Sequence, residues 1–310
     1  MIHTEDYKYY RCSFSTFNKA QEAVLPYFDK DVNLVVSLKT ATGKTAIAEC
    51  IFGYHLYNNQ SSKVIYVSPY KSISFEKRVD WYGNGQFSQY GILLNTGDTK
   101  VSLEEYDTNR ILIMTSESLD CQLRNCSKDG WISNVDCIVF DEAHLLGRER
   151  RGTSVESALM NFTKLNSKAR VVLLSATVSN GKQIAQWIKS LNQKQTKYIW
   201  SNWRPVDIEY VYYEFDDSDL YTREKKKVER AIGVIANRGI GEKVIVFVHS
   251  KKTGKMLLNR ISNMGIRCAF HNASLSFSSR KHIEAEFNGA YSGLDVIIST
   301  STLAFGVNLG

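Results

Sequence analysis

Short, uninterrupted apolar runs punctuate the chain, separated mostly by longer segments of mixed polarity. In the N-terminal two thirds the runs fall at residues 34–36, 63–68 (stopped by Pro69), 91–95, 111–115, 136–140 and 171–174. Runs rich in Val, Ile and Leu that do not alternate with polar residues are expected to be strands buried on both faces. Helix-length segments between most of them predict βαβ units and a parallel sheet covered by helices. Ahead of the first run, residues 16–28 predict a helix, with Thr16 or Asn18 as its cap. Residues 201–219 then read as a connector, with Pro205 near its start and the acidic Asp216-Asp217-Ser218-Asp219 inside it. A second α/β pattern follows: helix 220–237, strand 243–248, helix 252–264, strand 267–270, helix 277–288 and strand 295–299. The expected class is α/β, with domains at 1–204 and 205–310 built on mainly parallel sheets.

The chemistry-bearing residues cluster just past the ends of the first six runs. In an open α/β sheet that edge is where ligands bind. The first run leads into Lys39-Thr40-Ala41-Thr42-Gly43-Lys44-Thr45 and then a helix-forming segment. A buried strand, a tight turn and a helix start make a phosphate-binding loop. Backbone N–H groups around 42–45 would converge on a nucleotide's phosphates. Lys44 would meet the β- and γ-phosphates, and the Thr45 hydroxyl would ligate Mg²⁺. The strict pattern wants glycine five positions before Gly43, where this chain has Leu38, and short Gly-Lys-Thr strings also occur by chance. Asp141-Glu142-Ala143-His144 ends the fifth run. An aspartate there can hold Mg²⁺ through water, and the next carboxylate can orient and deprotonate an attacking water. Acidic turn residues that merely cap a strand would give Ala143-His144 no reason to follow. Gln21 can read an adenine edge, although a solvated helix glutamine is the plainer reading.

Composition changes this picture little. The chain has 310 residues, enough for two domains, and 39 basic against 32 acidic residues give a net charge of +7. That excess suits a polyanionic partner but does not demand one. Six cysteines show no C-x-x-C pair and no zinc-finger spacing, so reduced thiols without a structural metal site are expected. The N-terminus MIHTEDYKYYRC carries no apolar signal region, and no run approaches a membrane span. A cytoplasmic protein, nucleoid-associated or nuclear by organism, is expected. The run from Arg223 to Lys227 reads as a solvated face, and His282 as a helix-surface residue.

Taken together, Ala41–Thr45, Asp141–His144 and Ser175-Ala176-Thr177 resemble the first three motifs of superfamily-two helicases. Thr115-Ser116-Glu117, Leu123-Arg124-Asn125, His144-Leu145-Leu146-Gly147 with Arg151, Gly152 and Glu156, Ile184–Ile188 and Asn202–Val206 are similar to the superkiller-type branch, and within it to archaeal repair DNA helicases. The resemblance runs from about Phe17 to Gly310. It implies two RecA-like domains, the second incomplete, with ATP and Mg²⁺ as cofactors held between them. It implies a 3′–5′ helicase or translocase on single-stranded or forked DNA, with RNA as the runner-up. Gln21 then resembles the adenine reader, and Lys39, Thr40, Ala41, Thr42, Gly43, Lys44, Thr45, Asp141, Glu142, His144, Gly306 and Asn308 the nucleotide site. Pro69, Lys71, Thr96, Gly97, Asp98, Thr115, Ser116, Glu117, His249, Ser250, His271 and Thr300 resemble nucleic-acid contacts. Ser175 and Thr177 resemble the link between hydrolysis and strand movement. Ala41 stands where the family has glycine, and Ala143 where this branch often has Ile or Val. The chain stops after the fifth motif, so a missing sixth motif, with its arginine finger, is expected from a longer chain or a partner. Without it, ATP binding with little turnover is the other outcome expected.

Overall fold

All six N-terminal apolar runs form strands, and a seventh strand joins them. The structure, a computed structural model, describes residues 2–300 and 303, except 84, 86, 128, 129, 149, 150, 217, 218, 239, 240 and 290–292, and only the backbone at 151 and 277. In chain order the first unit runs α1 (Lys19–Glu22), β1 (Asn33–Leu38), α2 (Lys44–Asn58), β2 (Lys63–Ser68), α3 (Lys71–Gly83), β3 (Ile92–Asn95) and α4 (Leu103–Thr108). It continues with β4 (Ile111–Thr115), α5 (Ser116–Arg124), β5 (Val135–Phe140), α6 (Arg151–Leu165), β6 (Arg170–Ser175), α7 (Gly181–Asn192) and β7 (Thr196–Ser201). The sheet order is β3-β4-β2-β5-β6-β1-β7, and every pairing is parallel.

Continuous apolar strands suit this sheet because both of its faces are covered. Along β1, Leu34, Val36 and Leu38 enter one core with Ile47 and Ile51 of α2, whereas Val35 enters the other with Leu159 and Phe162 of α6. That split follows from the two-residue side-chain period of a strand. β7 escaped the sequence reading because it is an edge strand in which only Ile199 is buried.

The helix expected over 16–28 is shorter. Asn18 caps α1 with a reciprocal box: its Oδ1 accepts from the N–H groups of Ala20 and Gln21, and its own N–H donates to Gln21 Oε1 at 3.1 Å. The chain then tightens into a 3₁₀ turn at Leu25–Tyr27, where Pro26 has no N–H to continue an α-helix. Arg170, wholly buried at the start of β6, donates to the carbonyls of Tyr27, Phe28 and Val32 and fixes this segment to the sheet.

The chain divides into two compact units, Met1–Ile208 and Glu209–Gly310. The second contains α8 (Leu220–Ala236), β8 (Val244–Phe247), α9 (Lys251–Ser262), β9 (Cys268–His271), α10 (Phe277–Asn288) and β10 (Val296–Ser299). Its strands pair in parallel in the order β8-β10-β9. Val228, Ile232, Leu257 and Ile261 pack on one face and Phe287 with Leu294 on the other. Among the described residues no helix is long and apolar enough to cross a membrane.

Candidate functional site

The loop between β1 and α2 is bent by two residues in the left-handed region, Ala41 at φ 62° and Gly43 at φ 74°. Leu38, where a glycine was expected, is the last residue of β1 and is fully buried; the turn begins only after it. Ala41 therefore carries the conformation that glycine favours, at roughly 1–2 kcal/mol. Thr42 is buried, and its hydroxyl donates to the Lys39 carbonyl at 2.7 Å. Its own carbonyl accepts from Asn18 Nδ2 at 3.1 Å. Gln21 is only 3% exposed, so it is not the solvated residue considered above; its Nε2 donates to the Gly43 carbonyl at 3.2 Å. Lys44 and Thr45 open α2, where first-turn N–H groups have no intrahelical acceptor. Thr40 is exposed at the mouth of the turn.

Asp141 and Glu142 follow β5, two strands from β1 in the sheet, which places the two strand ends about 10 Å apart. Asp141 Oδ1 accepts from the Glu142 N–H at 2.9 Å, and Oδ2 from the Tyr66 hydroxyl at 2.5 Å. Burial and the adjacent Glu142 charge push the Asp141 carboxyl up. Glu142 goes the other way. Burial alone would raise its carboxyl, but His144 and the Lys44 ammonium outweigh that and hold it down. His144 Nδ1 lies 3.0 Å from Glu142 Oε2. Glu142 is itself left-handed, at φ 51°. Among the described residues only Ala41, Glu142 and Gln193 combine a side chain with positive φ, so two of the three flank one stretch of sheet edge. Such strain concentrates at functional sites. Downstream, Glu156 accepts from the Gly147 N–H at 3.0 Å, and Gly152 passes so close to the Leu145 carbonyl that a Cβ would sit 2.6 Å from it. Those residues hold the turn that carries Asp141 and Glu142.

At the end of β6 between them, the Ser175 hydroxyl donates to the Ala176 carbonyl at 2.7 Å, while Thr177 is exposed. Ser37 in β1 accepts from the Val178 N–H at 3.1 Å and so ties this turn to the phosphate-loop strand. Ser37 and Tyr66 escaped the sequence reading, and Asn18 was read only as a helix cap, because the partners of the three lie 141, 75 and 24 residues away.

The other half of the edge gathers β2, β4 and β3. Lys71 forms an exposed ion pair with Asp98, which also accepts from the Thr96 hydroxyl at 2.9 Å. Buried Asn95 organises this group, accepting from the Gly97 N–H at 3.0 Å and the Ser118 hydroxyl at 2.7 Å. Thr115 caps α5, Ser116 meets Ser154 at 3.0 Å, and Glu117 is exposed; Pro69 is buried. In the second unit His249 is exposed and Ser250 caps α9. His271 is placed differently: its ring is 1% exposed, with Nε2 3.1 Å from Glu284, so the side chain does not reach the surface. The backbone N–H of Thr300 donates to the His271 carbonyl at 3.3 Å. His282 is exposed on α10. Gly306 and Asn308 lie outside the described residues.

A parallel sheet with a left-handed loop entering a helix, faced along the same edge by an Asp-Glu pair, has the layout of the P-loop class of α/β proteins. The DEAD/DEAH box helicase profile matches residues 18–185, more than half of the chain, and the helicase conserved C-terminal domain profile matches residues 226–310. The chain belongs to the DEAD/DEAH box helicase family. Among similar proteins are the ATP-dependent DNA helicase MER3 of Saccharomyces cerevisiae, 28% identical over 96% of this chain and 27% of that protein, and two ATP-dependent DNA helicases Hel308. That of Methanococcus vannielii is 27% identical over 91% of this chain and 43% of its own. That of Thermoplasma acidophilum is 31% identical over 93% and 45%. The chain thus spans from about a quarter to under half of these relatives.

Proposed function

We propose that this chain is the ATP-dependent motor core of a DNA helicase. The observation that carries the reading is the pairing, on one sheet edge, of the Ala41–Thr45 turn with Asp141 and Glu142, which hold two of the three left-handed non-glycine residues among the described residues. The donors present suit a magnesium nucleotide: an amide-rich turn, a lysine, a hydroxyl and a carboxylate. Lys44 would meet the phosphates, and Thr45 with Asp141 would hold Mg²⁺, which supplies charge neutralisation on the transferred phosphoryl group. Glu142, whose carboxyl is held down and thus deprotonated at neutral pH, would accept a proton from the attacking water. Gln21 would set the adenine end while bracing Gly43. Pro69, Lys71, the 96–98 turn and the 115–117 turn would hold a single strand by its backbone, without reading its sequence. DNA as the track follows the relatives' names, and 3′–5′ movement on single or forked strands follows the branch resemblance.

The test is steady-state hydrolysis of ATP with Mg²⁺, in the presence and absence of single-stranded DNA or RNA. Stimulation by DNA, with turnover reduced at least about 10³-fold in Lys44→Ala or Glu142→Gln, supports the motor reading. ATP binding without turnover would show a nucleotide-gated binding module instead, and equal stimulation by RNA would overturn the choice of track.

A further inference from the structure

Tyr66 sits in the middle of β2, wholly buried, and its hydroxyl donates to Asp141 Oδ2 at 2.5 Å. Filling the core there would need no more than a phenylalanine; the hydroxyl is the part that packing leaves unexplained. Both partners are held. The β2–β5 register pairs Tyr66 with Val139, and the next bond of that ladder runs from the Asp141 N–H to the Val67 carbonyl at 2.8 Å. The phenol ring meets the edge of Trp81 at 5.2 Å between centroids. Trp81 is anchored in turn by its Nε1 donating to Glu49 Oε1 at 2.7 Å, and it packs edge-on against Phe52 and Phe87. Ring and backbone are therefore both anchored, and the hydroxyl falls where it meets one oxygen of the carboxylate. The other oxygen takes the Glu142 N–H, so the carboxylate cannot rotate without losing a bond. A carboxylate oxygen accepts at two positions, which leaves each oxygen a place for a metal-bound water.

We propose that Tyr66 is a positioning residue for the metal site: it fixes the rotation of the Asp141 carboxylate so that its remaining acceptor positions face the Mg²⁺ of a bound nucleotide. The proposal rests on the ATP-site reading above. Removing a hydrogen-bond partner of a metal-holding group weakens metal affinity by about 10- to 100-fold, and an indirect ligand belongs at the low end.

The experiment compares wild type with Tyr66→Phe, using Mn²⁺ as a paramagnetic stand-in for Mg²⁺ in the presence of a non-hydrolysable ATP analogue. Metal binding is read by electron paramagnetic resonance. Binding of a fluorescent ATP analogue in excess EDTA and thermal melting are measured alongside. The expected result is Mn²⁺ binding about tenfold weaker, with metal-free nucleotide binding unchanged. Replacing Tyr66 by 4-aminophenylalanine restores a donor and should bring Mn²⁺ affinity back toward wild type, even if the phenylalanine variant melts earlier. Unchanged Mn²⁺ affinity in Tyr66→Phe overturns the proposal. So does an equal loss of metal-free nucleotide binding, or a failure of the amino variant to rescue, since either marks a purely structural tyrosine. Wild type that binds neither nucleotide nor Mn²⁺ overturns the ATP site itself, a failure visible without any variant.

Discussion

His55 shows how much a single buried group can govern. It lies in the last turn of α2, and its Nε2 is buried without a hydrogen-bond partner among the described residues. Burial, with the Arg170 guanidinium adding to it, pushes the imidazole down to about 3, against the opposing pull of Asp31; Lys194 acts with Arg170. In the unfolded chain histidine takes up its proton near pH 6.5. Between those values the unfolded state binds a proton that the native state refuses, so stability falls as pH drops, by up to about 1.4 kcal/mol per unit. His55→Gln should leave stability at pH 7.5 nearly unchanged and gain on wild type progressively from pH 6 to 4, read as urea midpoints. Parallel pH curves for the two proteins would refute the assignment. No sequence pattern announces this histidine, because its environment is assembled from β6 and from the turns before β1 and β7. The same limit hid Ser37 and Tyr66, whereas Gly43-Lys44-Thr45 and Asp141-Glu142 were legible because the residues of each motif are adjacent in the chain.

At the level of elements, what was legible is what local sequence encodes. Strands buried on both faces announce themselves by unbroken apolar runs, so the six runs before residue 175 became strands within a residue or two of expectation. β7, half-exposed at the sheet edge, did not, and α1 is short because its capping box sets its start at Asn18 and Pro26 cuts off its continuation. The packing of the N-terminal segment across α2 was not legible either. Tyr7 donates to the Cys50 carbonyl at 2.8 Å and Tyr10 to Glu49 at 3.1 Å, and the chain crosses α2 at Gly53. A Cβ at Gly53 would lie 2.5 Å from the Tyr9 carbonyl oxygen and 2.8 Å from Tyr10 Cβ. Because the obstacle is backbone, no rotamer change relieves it. Gly53→Ala should cost about 1–3 kcal/mol, lower the melting temperature and speed proteolysis within residues 2–17. Gly233→Ala, in the open on α8, is the control and should be neutral or stabilising by about 0.5–1 kcal/mol. Equal effects of the two would show that the crossing carries no strain.

For the molecule as a whole, the informative quantity is strand order, which no single stretch of sequence contains. The resemblance named the motifs, but they alternate along the chain; the crossovers sort them. β1, β6 and β5 carry the candidate nucleotide residues side by side, and β2, β4 and β3 carry the candidate strand-binding residues side by side. The two candidate sets are therefore separate on one edge, which makes a double dissociation possible. Lys71 lies in the second half and is exposed, paired to Asp98. Lys71→Ala should weaken single-stranded DNA binding alike for every sequence and reduce the slope of log affinity against log salt by about 0.7, one phosphate contact. Asp98→Asn, by releasing the lysine, should tighten binding. Neither change should alter metal-free nucleotide affinity or shift stability by more than about 0.5 kcal/mol, since an exposed pair contributes little. Lys44→Ala should do the reverse, weakening nucleotide binding while leaving the DNA affinity of the nucleotide-free protein intact. Loss of nucleotide binding in Lys71→Ala, or a DNA affinity indifferent to both substitutions at 71 and 98, would mean that the β2–β4–β3 half of the edge serves something other than the strand.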